Sequence, residues 1–336
     1  MQSKPLVKES QMIFITNRFP DQSIRTRIGR KFTFDLHNNA SSNSVFFCEH
    51  KNTNEHIEIG SIEFLNRLKD CKFKQILIYI HGFSNLPESV FKSTQTLQTL
   101  CDKSKKNEVL VIPLIWPCDN DLGIVKDYWD DQKAADQSAY SFARVLEKFL
   151  AWRSSSQHQK EDAPCLKRIN ILAHSMGNRV LRETFNVWNK YDLPNGLPMV
   201  FRNTFLVAAD VVNESLHEGE DGELICHASR NVIVYHASDD LALRASKASN
   251  LKNKIASRRL GHSGVENIDK APRNVYQVDC DDVNNQYDFP KGHSYFLTGT
   301  KKSVQGKVFE HIFSCLISGR VFPDDEYRRS SIIHDD

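Results

Sequence analysis

Residues 168–179 read Arg168-Ile169-Asn170-Ile171-Leu172-Ala173-His174-Ser175-Met176-Gly177-Asn178-Arg179. A short apolar run, Ile169 to Ala173, stops at His174-Ser175-Met176-Gly177, and helical spacing follows. A serine between a buried strand and a helix, with small residues two places to either side, is the nucleophile-elbow pattern. The pattern is usually written G-x-S-x-G; here Ala173 takes the first glycine position. The turn is tight and the helix recrosses the strand closely, so both outer side chains must be small. On this reading Ser175 is pushed out at the strand's carboxyl end and the N–H of Met176 points toward its front. An ordinary strand–turn–helix with an incidental serine would read the same over these residues alone, so the decision falls to the rest of the chain.

On either side of this stretch, apolar strands alternate with helices. Gln75 to Ile80 is a near-continuous apolar strand, which implies burial on both faces. His81-Gly82-Phe83-Ser84 ends it, and helical spacing runs from Pro87 to Leu100. Glu108 to Ile115 is a second buried strand, closed by Trp116-Pro117. Ala134 to Trp152 is an amphipathic helix with Phe142, Val145, Leu146 and Phe149 on one stripe. Further strands are expected at Asn203–Val207, Asn231–His236 and Asn274–Asp279, and a closing helix at 305–317. This alternation predicts an α/β fold: a mainly parallel sheet with helices on both faces and ligands at the strands' carboxyl ends. Before Gln75 the pattern is different. Short strands are expected at Met12–Thr16, Arg30–Leu36 and Val45–Cys48, a turn at Asn52–Glu55, and a helix at Ser61–Leu68 that Ser61 can cap. Short connections there predict antiparallel strands at the N-terminal edge of the sheet. We expect a loose N-terminus over 1–10, a single domain over 11–322 and a polar tail over 323–336.

The 336 residues suit one large α/β domain, and 40% hydrophobic with 26% charged residues is ordinary for a soluble globular chain. A net charge of +2 implies no polyanionic partner, and basic runs such as Lys103-Ser104-Lys105-Lys106 are too short for a nucleic-acid patch. The eight cysteines are scattered with no C-x-x-C pair, so no zinc or redox motif is visible. The start, Met1 to Gln11, has no apolar h-region, and no stretch approaches the ~18 apolar residues of a membrane span. The expectation is a cytoplasmic protein with reduced thiols.

A serine needs a base and an orienting acid to act as a nucleophile, and after an elbow the chain order is serine, acid, histidine. The strand ending at His236 is followed by Ala237-Ser238-Asp239-Asp240-Leu241. Asp240 is the first choice of acid, with Asp239 read as a helix N-cap; Asp210, after Val207-Ala208-Ala209, is the alternative. The last strand leads to Lys291-Gly292-His293-Ser294, where His293 has the position and the flexible flank that a base needs. His262, in Gly261-His262-Ser263-Gly264, comes before the last strand and is disfavoured by chain order. An oxyanion hole needs two backbone donors. Met176 supplies one, and Phe83, in the loop His81-Gly82-Phe83, the other. Phe83, Leu86 and Trp116 can line an acyl pocket or belong to the core. The acids Asp119, Asp121, Asp127, Asp130 and Asp131 lack calcium-loop spacing and read as a solvated loop over the mouth of the site.

These residues resemble the α/β-hydrolase fold, and more narrowly a bacterial group of α/β hydrolases known as domain of unknown function 900. The resemblance runs from about Met12 to Tyr295. It rests on Phe14-Ile15-Thr16-Asn17-Arg18, Ile80-His81-Gly82-Phe83, Pro113-Leu114-Ile115-Trp116-Pro117 and Leu172 to Arg179, then on Val207 to Val211, Ser238 to Leu243 and Gly292-His293-Ser294-Tyr295. It implies a triad of Ser175, Asp240 and His293 and no particular substrate. The expected activity is that of a serine hydrolase of carboxylic esters (an esterase or lipase-like enzyme) acting on a small acyl substrate without cofactor or metal. A thioesterase, amidase or acyltransferase using the same site, or a silent binding protein of the same fold, are the alternatives.

Overall fold

The computed structural model describes residues 12–52, 55–119, 124–154, 165–193, 196–244, 258–298 and 305–335, with backbone alone over 124–126. Its strands are β1 (Met12–Arg18), β2 (Lys31–Phe32), β3 (Ser41–Asn52), β4 (Glu55–Glu58), β5 (Gln75–Ile80), β6 (Val109–Ile115), β7 (Arg168–His174), β8 (Phe201–Val207), β9 (Ser229–His236), β10 (Val275–Asp279) and β11 (Ser330–Ile332). They form one sheet in the order β11-β10-β9-β8-β7-β5-β6-β1-β3-β4-β2. Every neighbouring pair from β11 through to β1 is parallel, and the pairs β1–β3, β3–β4 and β4–β2 are antiparallel. This is the expected mainly parallel sheet with an antiparallel N-terminal edge. The longer helices are α1 (Ser61–Asp70), α2 (Pro87–Ser104), α3 (Ile124–Ser154), α4 (Gly177–Tyr191) and α5 (Lys307–Ser318).

Successive side chains of a strand point to opposite faces, so an apolar strand feeds two cores. Ile76 and Ile80 of β5, with Ile112 and Leu114 of β6 and Ile171 and Ala173 of β7, join the core beneath α3 and α4. Leu77 and Tyr79, with Val109 and Val111 and Leu172, join the core on the other face beneath α2 and α5. Burial on both faces is why these strands read as unbroken apolar runs. The interruptions are polar on purpose. Asn231, Asn203 and Asn170 lie in register on β9, β8 and β7, and each passes an amide hydrogen bond to the next: Asn231 Nδ2 to Asn203 Oδ1 and Asn203 Nδ2 to Asn170 Oδ1, both at 2.8 Å. Asn170 Nδ2 passes it on to Gln75 Oε1 of β5 at 3.3 Å. This buried ladder satisfies its own polar groups and penalises any slip in strand register.

Several boundaries differ from expectation. The strand expected over Arg30–Leu36 is only Lys31–Phe32, and the one expected over Val45–Cys48 extends over Ser41–Asn52 because β3 pairs on both sides. Ser61 does not cap α1: Gly60, at φ 76°, precedes the helix and no side chain caps it. Residues 330–332, in the polar C-terminal segment, add β11 alongside β10. The acidic stretch after β6 is the largest revision. Residues 120–123, and with them Asp121, lie outside the described residues, but α3 begins at Ile124, so Asp127, Asp130 and Asp131 are helical rather than part of a surface loop. Asp127 and Asp131 are also buried. All eight cysteines are unpaired thiols. Among the described residues no helix is long and apolar enough to cross a membrane.

Candidate active site

β7 ends in the turn that carries Ser175. The serine has φ 53°, in the left-handed region that a side chain rarely adopts, and it is buried to 5% exposure. Hydrogen bonds, among them one from the Asn178 N–H to the Ser175 carbonyl (3.1 Å), hold this strained backbone. Ser175 N–H donates to Val207 O (3.0 Å), and its carbonyl accepts from Asp210 N–H (3.2 Å) and from Asn178 Nδ2 (2.9 Å). Asn178 also donates to Ala173 O, so a side chain from the first turn of α4 ties the elbow to the strand. The demand for small residues is explicit in the packing. A Cβ on Gly177 would stand 2.6 Å from the carbonyl oxygens of both Ile80 and His81. One on Gly82 would stand 2.8 Å from Ser175 Cβ and 3.3 Å from Ser175 Oγ. The loop after β5 therefore presses its backbone against the serine side chain.

Asp240 and His293 come together although 53 residues separate them: His293 Nδ1 donates to Asp240 Oδ2 at 2.7 Å. The carboxylate is fully buried and the imidazole keeps 13% side-chain exposure. With its proton on Nδ1, the neutral ring has Nε2 as its free acceptor. The other carboxylate oxygen, Oδ1, accepts Leu243 N–H at 3.0 Å, so Asp240 caps the helical residues 241–244. That corrects the reading of Asp239 as the cap; Asp239 instead accepts the side-chain amides of Asn284 and Asn285. The backbone of His293 is clamped as well. Asp288 Oδ2 accepts the N–H groups of His293 (3.0 Å) and Ser294 (2.7 Å). His174 Nε2 lies 3.1 Å from the carbonyl oxygen of His293, and the two rings pack at 4.6 Å between centroids. Burial holds the His174 pKa well below its ordinary value, so the ring is neutral and donates from Nε2. Ser175 Oγ itself makes no hydrogen bond among the described residues; His293 packs against His174, the residue that precedes Ser175 in the chain.

Asp210 has other partners. Tyr128 OH donates to its Oδ2 at 2.9 Å, and Arg259 Nε lies 3.2 Å from its Oδ1, with both side chains of that ion pair buried. His262 sits in the helical turn Leu260–Ser263 with Nδ1 2.9 Å from Ser263 Oγ. Neither occupies the place beside His293 and Asp240.

The loop after β5 is organised around His81. Its Nδ1 donates to Gly82 O (2.9 Å), its Nε2 accepts Trp116 N–H (3.2 Å), and the two rings stack at 5.2 Å. Trp116 Nε1 donates back to His81 O, so Trp116 is a buried brace rather than a pocket wall. Burial lowers the His81 pKa to about 4. Asn85 Nδ2 reaches both Gly82 O and Phe83 O. The Gly82 carbonyl is thus bound at one edge of its peptide plane. The N–H of Phe83 points from the opposite edge, without a partner among the described residues. Met176 N–H, at the start of α4, is likewise without one.

His174, Asn178, Asp288 and Asn85 were not singled out in the sequence. The first two lie inside the elbow stretch, where a polar side chain at a position of enforced burial was a usable signal. Asp288 and Asn85 had none. Among the described residues no cluster of metal-ligating side chains occurs.

No curated protein matches the chain. A solved lipase-esterase related protein from Clostridium acetobutylicum aligns over 79% of this chain and 85% of its own, at 11% identity and a TM-score of 0.23, a likeness too slight to carry fold or function. The model of one family, described as alpha/beta hydrolase of unknown function (DUF900), matches residues 60–302, well over half of the chain and the whole span from the loop after β5 to His293. The chain therefore belongs to this family of α/β hydrolases.

Proposed function

We propose that the protein is a serine hydrolase of carboxylic esters or closely related acyl compounds, with Ser175 as nucleophile, His293 as base and Asp240 as the acid that orients it. The observation that carries the reading is the 2.7 Å contact of His293 Nδ1 with a fully buried Asp240, with His293 bound in turn by His174, the chain neighbour of a serine held at φ 53°. Ser175 Oγ attacks the acyl carbonyl while Nε2 of His293 takes its proton; the same nitrogen then protonates the leaving group, and water repeats the sequence to release the acid. The charge that builds on imidazole faces the Asp240 carboxylate. The oxyanion is received by the N–H groups of Met176 and Phe83, and donors fixed in advance lose nothing to reorganisation during the reaction. Asp210, engaged by Tyr128 and Arg259, is not needed as the acid.

Labelling with a fluorophosphonate probe, alongside hydrolysis of a short p-nitrophenyl ester, tests the proposal. Wild type should label and turn over, and Ser175→Ala should do neither. Labelling that survives in Ser175→Ala overturns it. A parallel panel of thioester and amide substrates assigns the acyl chemistry.

A further inference from the structure

Asp131 lies two turns into α3 with no exposed surface. Its oxygens accept three hydrogen bonds from three different segments. Oδ2 takes the N–H of Ser84 (2.9 Å), and Oδ1 takes Asn39 Nδ2 (2.9 Å) and the N–H of Asp119 (3.2 Å). The carboxyl therefore ties α3 to the loop after β5, to the segment before β3 and to the chain leaving β6. Burial raises its pKa to about 6, so the carboxylate is held at neutral pH against the cost of desolvation. Arg18, also with no exposed surface, lies close enough to feel its charge and that of Asp119. The guanidinium donates from Nη1 to Cys118 O at 2.6 Å, while its Nε and Nη2 have no hydrogen-bond partner among the described residues. Packing alone needs neither of these charges, and a carboxylate kept in such a place calls for a task.

Ser84 supplies that task. It is a non-glycine residue at φ 58°, a conformation that has to be held from outside. The peptide between Phe83 and Ser84 is pinned at both ends: its carbonyl accepts from Asn85 Nδ2, and its N–H donates to Asp131. The preceding peptide then has one orientation left, with Gly82 O bound to His81 and Asn85 and Phe83 N–H without a partner among the described residues, on the backbone that touches Ser175. We infer that Asp131 is a positioning residue for the oxyanion hole: through Ser84 its carboxylate keeps the N–H of Phe83 turned toward the acyl oxygen. The inference rests on the hydrolase reading above. A hydrogen bond to a carboxylate is stronger than one to a neutral acceptor, which favours Asp over Asn at this position.

The experiment compares wild type, Asp131→Asn and Asn39→Ala on a p-nitrophenyl ester and by inhibition with phenylboronic acid, whose serine adduct presents an oxygen to the same donors. Asp131→Asn should lower kcat on the order of 10–100-fold, the range below that for deleting an oxyanion donor outright, with KM within about threefold. Its Ki for the boronate should rise by a factor like that for kcat/KM, a correlation that a loss of stability alone does not produce. Asn39→Ala removes one bond from the carboxylate at a half-buried site and should move kcat and Ki the same way by a few-fold; it decides the matter if Asp131→Asn does not fold. Unchanged kcat and Ki in a folded variant, with wild type active, overturn the positioning role alone. An inert wild type overturns the hydrolase reading and this inference with it.

Discussion

His174 and His293 are joined by a hydrogen bond from an imidazole to a backbone carbonyl, 3.1 Å long, so the residue next to Ser175 grips the loop that presents the proposed base. Asp288 grips the same residue by its N–H. His293 is thus fixed at both of its peptide groups, and its ring has only its own torsions left to adjust.

Replacing His174 by Phe keeps a ring against Phe296 and removes the donor. The base should then sample orientations away from Ser175, and kcat should fall on the order of tenfold while the fold is retained. Steady-state kinetics with a circular dichroism control reads this out; a kcat equal to wild type contradicts it.

Asp240→Asn and Asp210→Asn should separate cleanly. The first disturbs the tautomer of His293 and should lower kcat by about four orders of magnitude with little change in stability. The second weakens a buried ion pair with Arg259 and should act mainly on stability, with a loss of about 2–3 kcal/mol in urea unfolding. A large loss of kcat in Asp210→Asn, with Asp240→Asn active, reverses the assignment.

Gly177→Ala places a methyl group 2.6 Å from two backbone oxygens that cannot move without shifting β5. The cost should be about 1–3 kcal/mol of stability, with a loss of activity as the elbow and the loop after β5 are forced apart. Thermal unfolding and ester hydrolysis measure both; a neutral substitution would show that α4 does not cross as closely as described.

Buried histidines make the fold sensitive to acid. Burial lowers the pKa of His81 and of His56 to about 4 and carries His174 in the same direction. The unfolded rings titrate near 6.5, so between about 6.5 and 4 the unfolded chain binds protons that the folded chain excludes. Stability is therefore complete above that window and is lost as pH falls through it. For His81, wholly buried, the linkage alone is worth about 3 kcal/mol. Asp131 acts with the opposite sign, since its raised pKa adds stability as pH falls through about 6, but it is one group against several. Urea midpoints should be clearly lower at pH 5 than at pH 7.5; equal midpoints would contradict this balance.

Much of the architecture was legible in local pattern. β5, β6 and β7 read as apolar throughout because both faces of a parallel strand are covered, and the switch from short strands to strand–helix alternation marked where the antiparallel edge ends. The Ser175 turn was legible for a steric reason, since Ala173 and Gly177 are the sizes that its geometry admits. Pattern failed where a residue's neighbours come from distant segments. Asp131 read as one more surface acid because nothing within its own helix shows that Ser84, Asn39 and Asp119 converge on it. The asparagines of β7, β8 and β9 gave no local sign that they form one ladder.

What the chain determines by itself is the run of buried parallel strands with the main helices between them and the sharp turn at Ser175, but not β4, β11 or the start of α3, because the former follow from periodicity and from the size of side chains a few residues apart. Tertiary structure alone decided that Asp240 rather than Asp210 meets His293, and that an acid of α3 reaches the loop after β5. Hydrogen bonds between groups 47 to 82 residues apart depend on how the sheet brings strand ends together, and sequence spacing does not encode that distance.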